Sequence, residues 1–126
     1  KSLGIDNIIC SDEITDFYNP NVIRASIGHL FSMNIISDSI PKVIELLTNN
    51  DYQIILLDPD AEKLIDDFKP EKNFALVIGS EQYGISDDWK NTNHENLKIK
   101  SKNDVDSINA SAAAAIAMWE LNKGGN

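Results

Sequence analysis

The chain has 126 residues, of which 42% are hydrophobic and 25% are charged, as in a single soluble globular domain. This composition excludes a disordered or fibrous protein and a machine with separately folded substrate and cofactor modules. Twenty acidic and eleven basic residues give a net charge of -9 at pH 7, which excludes a surface that binds nucleic acid by bulk positive charge alone.

Strand-like and helix-like segments alternate along the chain. This order predicts an α/β fold with a mainly parallel sheet covered by helices on both faces. The predicted segments are strand 5–10, helix 21–31, strand 33–36, helix 39–50, strand 52–57, an acidic surface helix and loop over 58–71, strand 74–78, strand 97–101 and helix 108–121.

Cysteine and histidine usage favours a cytoplasmic protein without a metal site. The single cysteine, Cys10, has no partner for an internal disulfide, which fits a reducing compartment. His29 and His94 have no cysteines at metal-ligand spacing. No apolar run approaches the ~20 residues of a membrane span, and we expect neither a signal peptide nor a membrane partner.

The first candidate site is the glycine-bounded segment from Gly79 to Gly84, which directly follows the predicted strand 74–78. Ligands of open α/β sheets bind beyond the carboxyl ends of strands, and a glycine there lets the backbone approach a ligand closely. An ordinary strand-to-loop turn has the same pattern. No Lys-Ser or Lys-Thr follows Gly84, so the segment is not a Walker loop.

The second candidate is the start of the last predicted helix, where polar side chains alternate at Ser107, Asn109 and Ser111. These residues can cap the helix while they face a cleft. The apolar stripe that follows fits a core or a dimer face, and it consists of Ile108, Ala112, Ala115, Ile116 and Trp119.

Basic residues supply a third set of candidates. Arg24 is the only arginine, and arginine suits bidentate contact with phosphate or carboxylate, although a surface ion pair is the alternative. Lys98, Lys100 and Lys102 alternate along the predicted strand 97–101 and just beyond it. Alternation places them on one side, either as a solvated edge or as an RNA contact.

Together, three motifs resemble the SpoU (TrmH-like) RNA 2'-O-ribose methyltransferases over nearly the whole chain. They are Arg24-Ala-Ser26-x-Gly28-x-x-Phe31, then Leu76-Val-Ile-Gly79-Ser80-Glu81-x-x-Gly84-Ile85-Ser86, and Asp106-Ser107-Ile108-Asn109-Ala-Ser111-x-Ala113-Ala-Ala-Ile116. The resemblance implies the SPOUT fold, with a deep trefoil knot near the carboxyl terminus, and a homodimer formed through the knot region. It also implies bound S-adenosylmethionine and an RNA substrate, either tRNA or rRNA.

The resemblance assigns site residues as well. Cofactor contacts are expected from Ile78, Gly79, Glu81, Gly84, Ile99, Ile108 and Asn109. Catalytic roles are expected for Asn109 and Ser111, and RNA contacts for Arg24 and Ser26. Methyl transfer from S-adenosylmethionine needs a slot of small residues, an oriented hydroxyl and a base, and no nucleophilic residue.

Two departures from the family pattern accompany this resemblance. The family's first motif, an Asn followed by an Arg thought to activate the ribose hydroxyl, precedes the segment that matches residues 2–6. We therefore expect residues 1–126 to be one SpoU-type domain that lacks its first strand, most of its first helix and that arginine. Ile99-Lys100-Ser101 stands where the family often has Ile-Pro-Met, a change that would weaken cofactor binding.

Two functions from different classes follow from these observations. The first is an RNA 2'-O-ribose methyltransferase. The alternative is a non-catalytic RNA-binding or assembly module that keeps the SPOUT fold, and it is motivated by the two departures and by the acidic composition. A nucleotide-binding switch fits less well, because phosphate-binding glycine and lysine patterns are missing.

Overall fold

The structure, a computed structural model, describes residues 3–11, 32–80, 83–102 and 109–123. The chain divides into two compact units, Lys1–Val43 and Ile44–Asn126. The predicted helix 21–31, with Arg24 and Ser26, lies outside the described residues.

The first unit contains a two-stranded parallel sheet. Strand β1 covers Asn7–Cys10 and strand β2 covers Asn34–Ser37, and they pair in register from Asn7 opposite Asn34 onward. Asn34 Nδ2 donates a hydrogen bond to Asn7 Oδ1 over 3.0 Å at the start of the pair. Both predicted strands, 5–10 and 33–36, are confirmed with bounds shifted by one or two residues.

Helix α1 covers Ile40–Asn49 and confirms the predicted helix 39–50. Its buried side chains, three and four residues apart, form one apolar face: Ile40, Val43 and Leu47. The helix ends in a Schellman turn, in which the N–H of Tyr52 donates to the C=O of Leu47 and the N–H of Asp51 to the C=O of Thr48. Asp51 occupies the left-handed position, with φ 59°.

The second unit contains a four-stranded parallel sheet in the order β4-β6-β3-β5. Its strands are β3 over Gln53–Leu57, β4 over Lys63–Leu64, β5 over Phe74–Ile78 and β6 over Glu95–Lys98. Strand β3 is central, and Ile54, Ile55 and Leu56 are buried. Since successive side chains point to opposite faces, both faces of β3 are covered, as expected of a parallel strand. The predicted strands 52–57 and 74–78 are confirmed.

The prediction of an acidic surface helix and loop over 58–71 is wrong. The segment contains strand β4 and a single 3₁₀ turn, Ile65–Asp67, and Ile65 is only 1% exposed. Pairing between β4 and β6 draws the apolar pair Leu64 and Ile65 into the sheet and its core. Local composition, dominated by acids, does not reveal such a long-range pairing.

The last predicted strand is displaced. It lies at Glu95–Lys98 and not at 97–101, because its pairing with β3 ends where Leu57 faces Leu97 and its pairing with β4 ends where Leu64 faces Lys98. Residues 99–102 therefore follow the strand, and the inference that strand alternation places Lys98, Lys100 and Lys102 on one side is wrong.

Two helices complete the second unit. Helix α2, Asp87–Lys90, was not predicted and buries Trp89. Helix α3 covers Ala110–Asn122, which confirms the described part of the predicted helix 108–121. Its Ala117 and Leu121 are buried in the core of the unit together with Ile55, Ile65 and Leu97.

The predicted apolar stripe on α3 is not part of that core. Ala112 and Ala115 are exposed, and Ile116 and Trp119 keep 43% and 53% of their surface exposed. The buried residues lie on another face of the same helix. Alanine and a large apolar side chain occur on both faces, so composition could not identify the packed one.

Candidate functional site

The carboxyl edge of the four-stranded sheet gathers several of the predicted site residues. Leu57 at the end of β3 lies opposite Ile78 of β5 and opposite Leu97 of β6. The residues that follow these strands, Asp58, Gly79 and Ile99, therefore leave the sheet at one edge. Parallel strands are spaced ~4.8 Å apart, which puts β5 and β6 about 10 Å from each other across β3. Such an edge is the usual ligand site of open α/β sheets.

The segment after β5 folds back on itself. The N–H of Ser80 donates to the C=O of Gly84 over 3.1 Å, and the N–H of Gly84 donates to the C=O of Ser80 over 2.8 Å. Ser80 Oγ also accepts the N–H of Tyr83 over 2.9 Å. Gly84 has φ 68°, a left-handed conformation that glycine adopts without strain. The two ends of the loop are thus held side by side.

The closed loop itself requires glycine at position 79. A Cβ there would lie 2.3 Å from the carbonyl carbon of Gly84 and 2.5 Å from the backbone nitrogen of Ile85. The sequence suggested that Gly79 is small to admit a ligand. The structure supplies a different reason, which is that the returning backbone occupies the space of a side chain.

Asn109 caps helix α3. Its Oδ1 accepts the N–H of Ser111 over 2.9 Å and the N–H of Ala112 over 3.3 Å, and its backbone C=O accepts the N–H of Ala113. This is the capping role that its position predicted. The side chains of Asn109 and Ser111 are both exposed, and Nδ2 of Asn109 has no hydrogen-bond partner within the described ranges.

Two isoleucines give the carboxyl edge an apolar character. Ile78, the last residue of β5, is 39% exposed although the sheet around it is largely covered. Ile99, just after β6, is half-buried and packs against the core cluster that includes Leu97. Ile99 therefore has a structural role beside any contact with a ligand.

Asp58, which sequence reasoning did not single out, lies in the middle of the edge. Its N–H donates to the C=O of Leu97 over 2.9 Å, while its carboxylate accepts the N–H of Asp60 over 2.9 Å and Nδ2 of Asn96 over 3.3 Å. Asp58 thus joins β3 to β6. An Asp-Pro pair directly after a buried apolar run was the available signal.

Asn96 and Ser86 carry buried oxygens that find no partner among the described residues. Within these residues neither Oδ1 of Asn96 nor Oγ of Ser86 has a hydrogen bond. Buried polar groups are normally paired, by protein, water or ligand. Ser86 directly precedes helix α2, and Asn96 lies in β6.

Several predicted site residues cannot be placed. Glu81, Ile108, Arg24 and Ser26 lie outside the described residues. Those that are placed lie at three points: Ile78, Gly79 and Gly84 at the end of β5 and in the loop after it, Ile99 just after β6, and Asn109 with Ser111 at the start of α3.

Two kinds of feature are absent from residues 3–11, 32–80, 83–102 and 109–123. No three His, Cys, Asp or Glu side chains there are grouped as a metal site would need. No helix in the same ranges has the length and hydropathy required to cross a membrane.

Known proteins share both the sequence pattern and the fold. A 23S rRNA (adenosine(1067)-2'-O)-methyltransferase of Streptomyces azureus is 27% identical over 122 residues, which are 94% of this chain and 45% of that protein. The crystal structure of the SpoU methyltransferase AviRb from Streptomyces viridochromogenes, in complex with the cofactor AdoMet, superposes with a TM-score of 0.87 at 25% identity, covering 94% of this chain and 49% of the other.

A second crystal structure agrees in fold. The AdoMet-bound rRNA methyltransferase from Sinorhizobium meliloti gives a TM-score of 0.92 at 21% identity, over 99% of this chain and 48% of that one. The chain thus spans about half the length of the relatives it matches. These similarities confirm the predicted mainly parallel α/β fold. The sequence profile of the SpoU rRNA Methylase family matches residues 1–119, and the chain belongs to this family.

Proposed function

We propose that this chain binds S-adenosylmethionine and transfers its methyl group to a ribose 2'-hydroxyl of tRNA or rRNA. The observation that carries the proposal is the family match across residues 1–119, which contains all three motifs. The relatives named as 23S rRNA 2'-O-methyltransferases and the AdoMet-bound structure of AviRb support the same chemistry. They favour the enzyme over the non-catalytic module.

The described residues at the carboxyl edge fit this cofactor. When bound, S-adenosylmethionine supplies an electrophilic methyl group on a sulfonium. Ile78, 39% exposed at the end of an otherwise covered strand, and half-buried Ile99 offer apolar surface for an adenine ring. Asp58 provides a carboxylate at the same edge. We also assign Glu81, Gly84, Ile108 and Asn109 to cofactor binding.

Asn109 and Ser111 are proposed to orient the ribose hydroxyl. Because Oδ1 of Asn109 is held by the N–H groups of Ser111 and Ala112, the plane of the amide is fixed and Nδ2 is the group left to donate. The hydroxyl of Ser111 can donate or accept. Neither side chain is a strong base, so both are proposed to hold the hydroxyl in place and not to remove its proton.

The remaining architecture is part of the same proposal. Residues 1–126 are proposed to form one SpoU-type domain with a carboxyl-terminal trefoil knot. Among the described strands β5 pairs only with β3, which is compatible with a further neighbour on its other edge. Arg24 and Ser26 are proposed to contact RNA, and the protein is proposed to act in the cytoplasm.

The exposed stripe of α3 supports a homodimer. Ala112, Ala115, Ile116 and Trp119 follow the i, i+3, i+4, i+7 spacing of one helix face. Nζ of Lys123 lies 4.5 Å from the centre of the Trp119 ring, which extends the surface at its carboxyl end. Small residues let a second helix approach closely, so we assign this stripe to the interface of the knot region.

Calorimetric titration with S-adenosylmethionine tests the proposal on the protein at its natural full length. We expect one binding site per subunit. Ile78→Asp should weaken binding at least tenfold, since it puts a carboxylate on the apolar edge. Leu46→Asp, at a residue that is 44% exposed on α1, is the matched control and should bind normally. Wild-type protein that binds rRNA but releases no heat with the cofactor would contradict the enzyme and favour the binding module.

A further inference from the structure

We propose that Lys98, Lys100 and Lys102 bind the phosphate backbone of the RNA at the edge of the cofactor site. The inference rests on the proposed function, and it names the surface through which this acidic chain holds its substrate. These three residues are called the lysine segment below.

Within the described residues, the lysine segment has no ion pairs. None of its three ammonium groups has a carboxylate within 4.0 Å in the described part of the chain. Four other lysines do have such partners. They are Lys42 with Asp38 at 4.0 Å, Lys63 with Glu95 at 3.3 Å, Lys72 with Asp51 at 2.6 Å and Lys123 with Glu120 at 3.4 Å.

The lysine segment is a basic stretch in an acidic chain. Residues 97–102 contain three lysines and no acid, in a chain whose net charge is -9. Asp58 is the acid at the same level of the sheet. Its carboxylate accepts hydrogen bonds from Nδ2 of Asn96 and from the backbone N–H of Asp60. Asp66 and Asp67, in the 3₁₀ turn after β4, have no ammonium group of the lysine segment within 4.0 Å. An overall acidic chain repels RNA, so binding requires a local concentration of cations such as this one.

The lysine segment begins at the carboxyl edge of the four-stranded sheet. Lys98 ends β6 and is half-buried, while Lys100 and Lys102 are exposed where the chain leaves the sheet. This is the edge at which Gly79 leaves β5, about 10 Å away across β3. A lysine side chain can span a large part of that distance. The lysine segment therefore begins at the same edge of the sheet as the loop after Gly79.

The test compares two double variants with the same loss of charge in the full-length protein. Lys100→Gln with Lys102→Gln removes the exposed part of the lysine segment. Lys69→Gln with Lys90→Gln removes two other lysines for which the described residues also offer no ion pair. Binding of 23S rRNA transcribed in vitro is measured by filter retention from 50 to 300 mM KCl, and cofactor binding is measured by calorimetry.

We expect the segment variant to lose about tenfold in RNA affinity at 100 mM KCl. The slope of log K against log[KCl] should fall by about 1.4, the value for two contacts to single-stranded phosphates. The control variant should keep the wild-type slope. Equal slopes in both variants, or equal losses, would overturn the inference. A wild-type protein that does not bind S-adenosylmethionine would refute the proposed function. The salt slopes of RNA binding would still show whether the lysine segment contacts phosphates.

Discussion

The two sheets of this protein are both parallel and rich in isoleucine, yet they bury their side chains to very different degrees. In β3, Ile54, Ile55 and Leu56 are at most 4% exposed, because the strand has a partner on each side and covered faces. In the β1–β2 sheet, Ile8 and Ile36 keep 36% and 42% of their surface exposed. A similar apolar run thus contributes differently according to the number of partners its strand has.

This difference assigns roles to the two sheets. A two-stranded sheet is at best marginally stable by itself, so β1–β2 depends on contacts beyond its own pairing. The four-stranded sheet has its own core, in which α3 packs on β3 and β6 through Ala117 and Leu121. A rigid sheet of this kind is the better base for a site that must hold a ligand in one orientation.

The largest expected effect compares one isoleucine from each sheet. Ile55→Ala, at a residue with 0% exposure, should lower the free energy of unfolding by about 2–5 kcal/mol, through lost burial and the cavity left behind. Ile36→Ala should cost less than about 1.5 kcal/mol, since that side chain is already largely in water. Urea unfolding followed by circular dichroism measures both. Equal losses would show that the sheets do not differ in packing.

The next effect is at the carboxyl edge of the well-packed sheet. Gly79→Ala should open the loop and reduce affinity for S-adenosylmethionine at least tenfold, because its Cβ would overlap the backbone of Gly84 and Ile85. Gly84→Ala meets no neighbouring atom and should cost about 1–2 kcal/mol of stability through its positive φ alone. Calorimetry and urea unfolding separate the two. Normal cofactor binding by Gly79→Ala would refute the closed loop.

A smaller effect is expected at the start of α3. Asn109→Ala removes the helix cap and should lower the free energy of unfolding by about 1 kcal/mol. Asn109→Asp keeps an acceptor for the N–H groups of Ser111 and Ala112 and should restore that stability. It should not restore methyl transfer to rRNA, because it lacks the Nδ2 donor. Recovery of both properties in Asn109→Asp would limit Asn109 to a capping role.

The smallest effect is a gain. Asp51→Gly should raise the free energy of unfolding by about 0.5 kcal/mol, because glycine relieves the positive φ of 59° at the end of α1. The gain is small because the exposed ion pair with Lys72, at 2.6 Å, is lost at the same time. Asp51→Ala loses the ion pair but keeps the strain, so it should be destabilised. A loss of stability in Asp51→Gly would mean that the ion pair outweighs the strain.

Sequence patterns predicted the elements that are locally self-evident. The buried run of β3, the strand β5 and the helix α1 follow from apolar periodicity and from turn residues at their ends. Elements that depend on distant partners were missed or displaced. β4 exists only through its pairing with β6, and the pairing of β6 with β3 and β4 together determines where β6 ends.

The candidate site divides in the same way. The cap at Asn109 and the turn around Gly84 depend on neighbouring residues alone, and the residue types at these positions predict them. The steric reason for Gly79 is visible only in three dimensions, because it depends on the return of the backbone at Gly84 and Ile85. Asp58 acquires its place at the edge through hydrogen bonds to Leu97 and Asn96, almost forty residues away.

The most direct test of the central claim is the position of the transferred methyl group. The full-length protein is incubated with S-adenosylmethionine labelled with tritium in its methyl group and with unmethylated 23S rRNA or tRNA, and the RNA is then hydrolysed in alkali. A 2'-O-methyl group blocks cleavage of the adjacent phosphodiester, so we predict that the label is recovered in alkali-stable dinucleotides. Label in mononucleotides would show that a base is methylated, and this result would contradict the account. RNA that carries no label would contradict it as well.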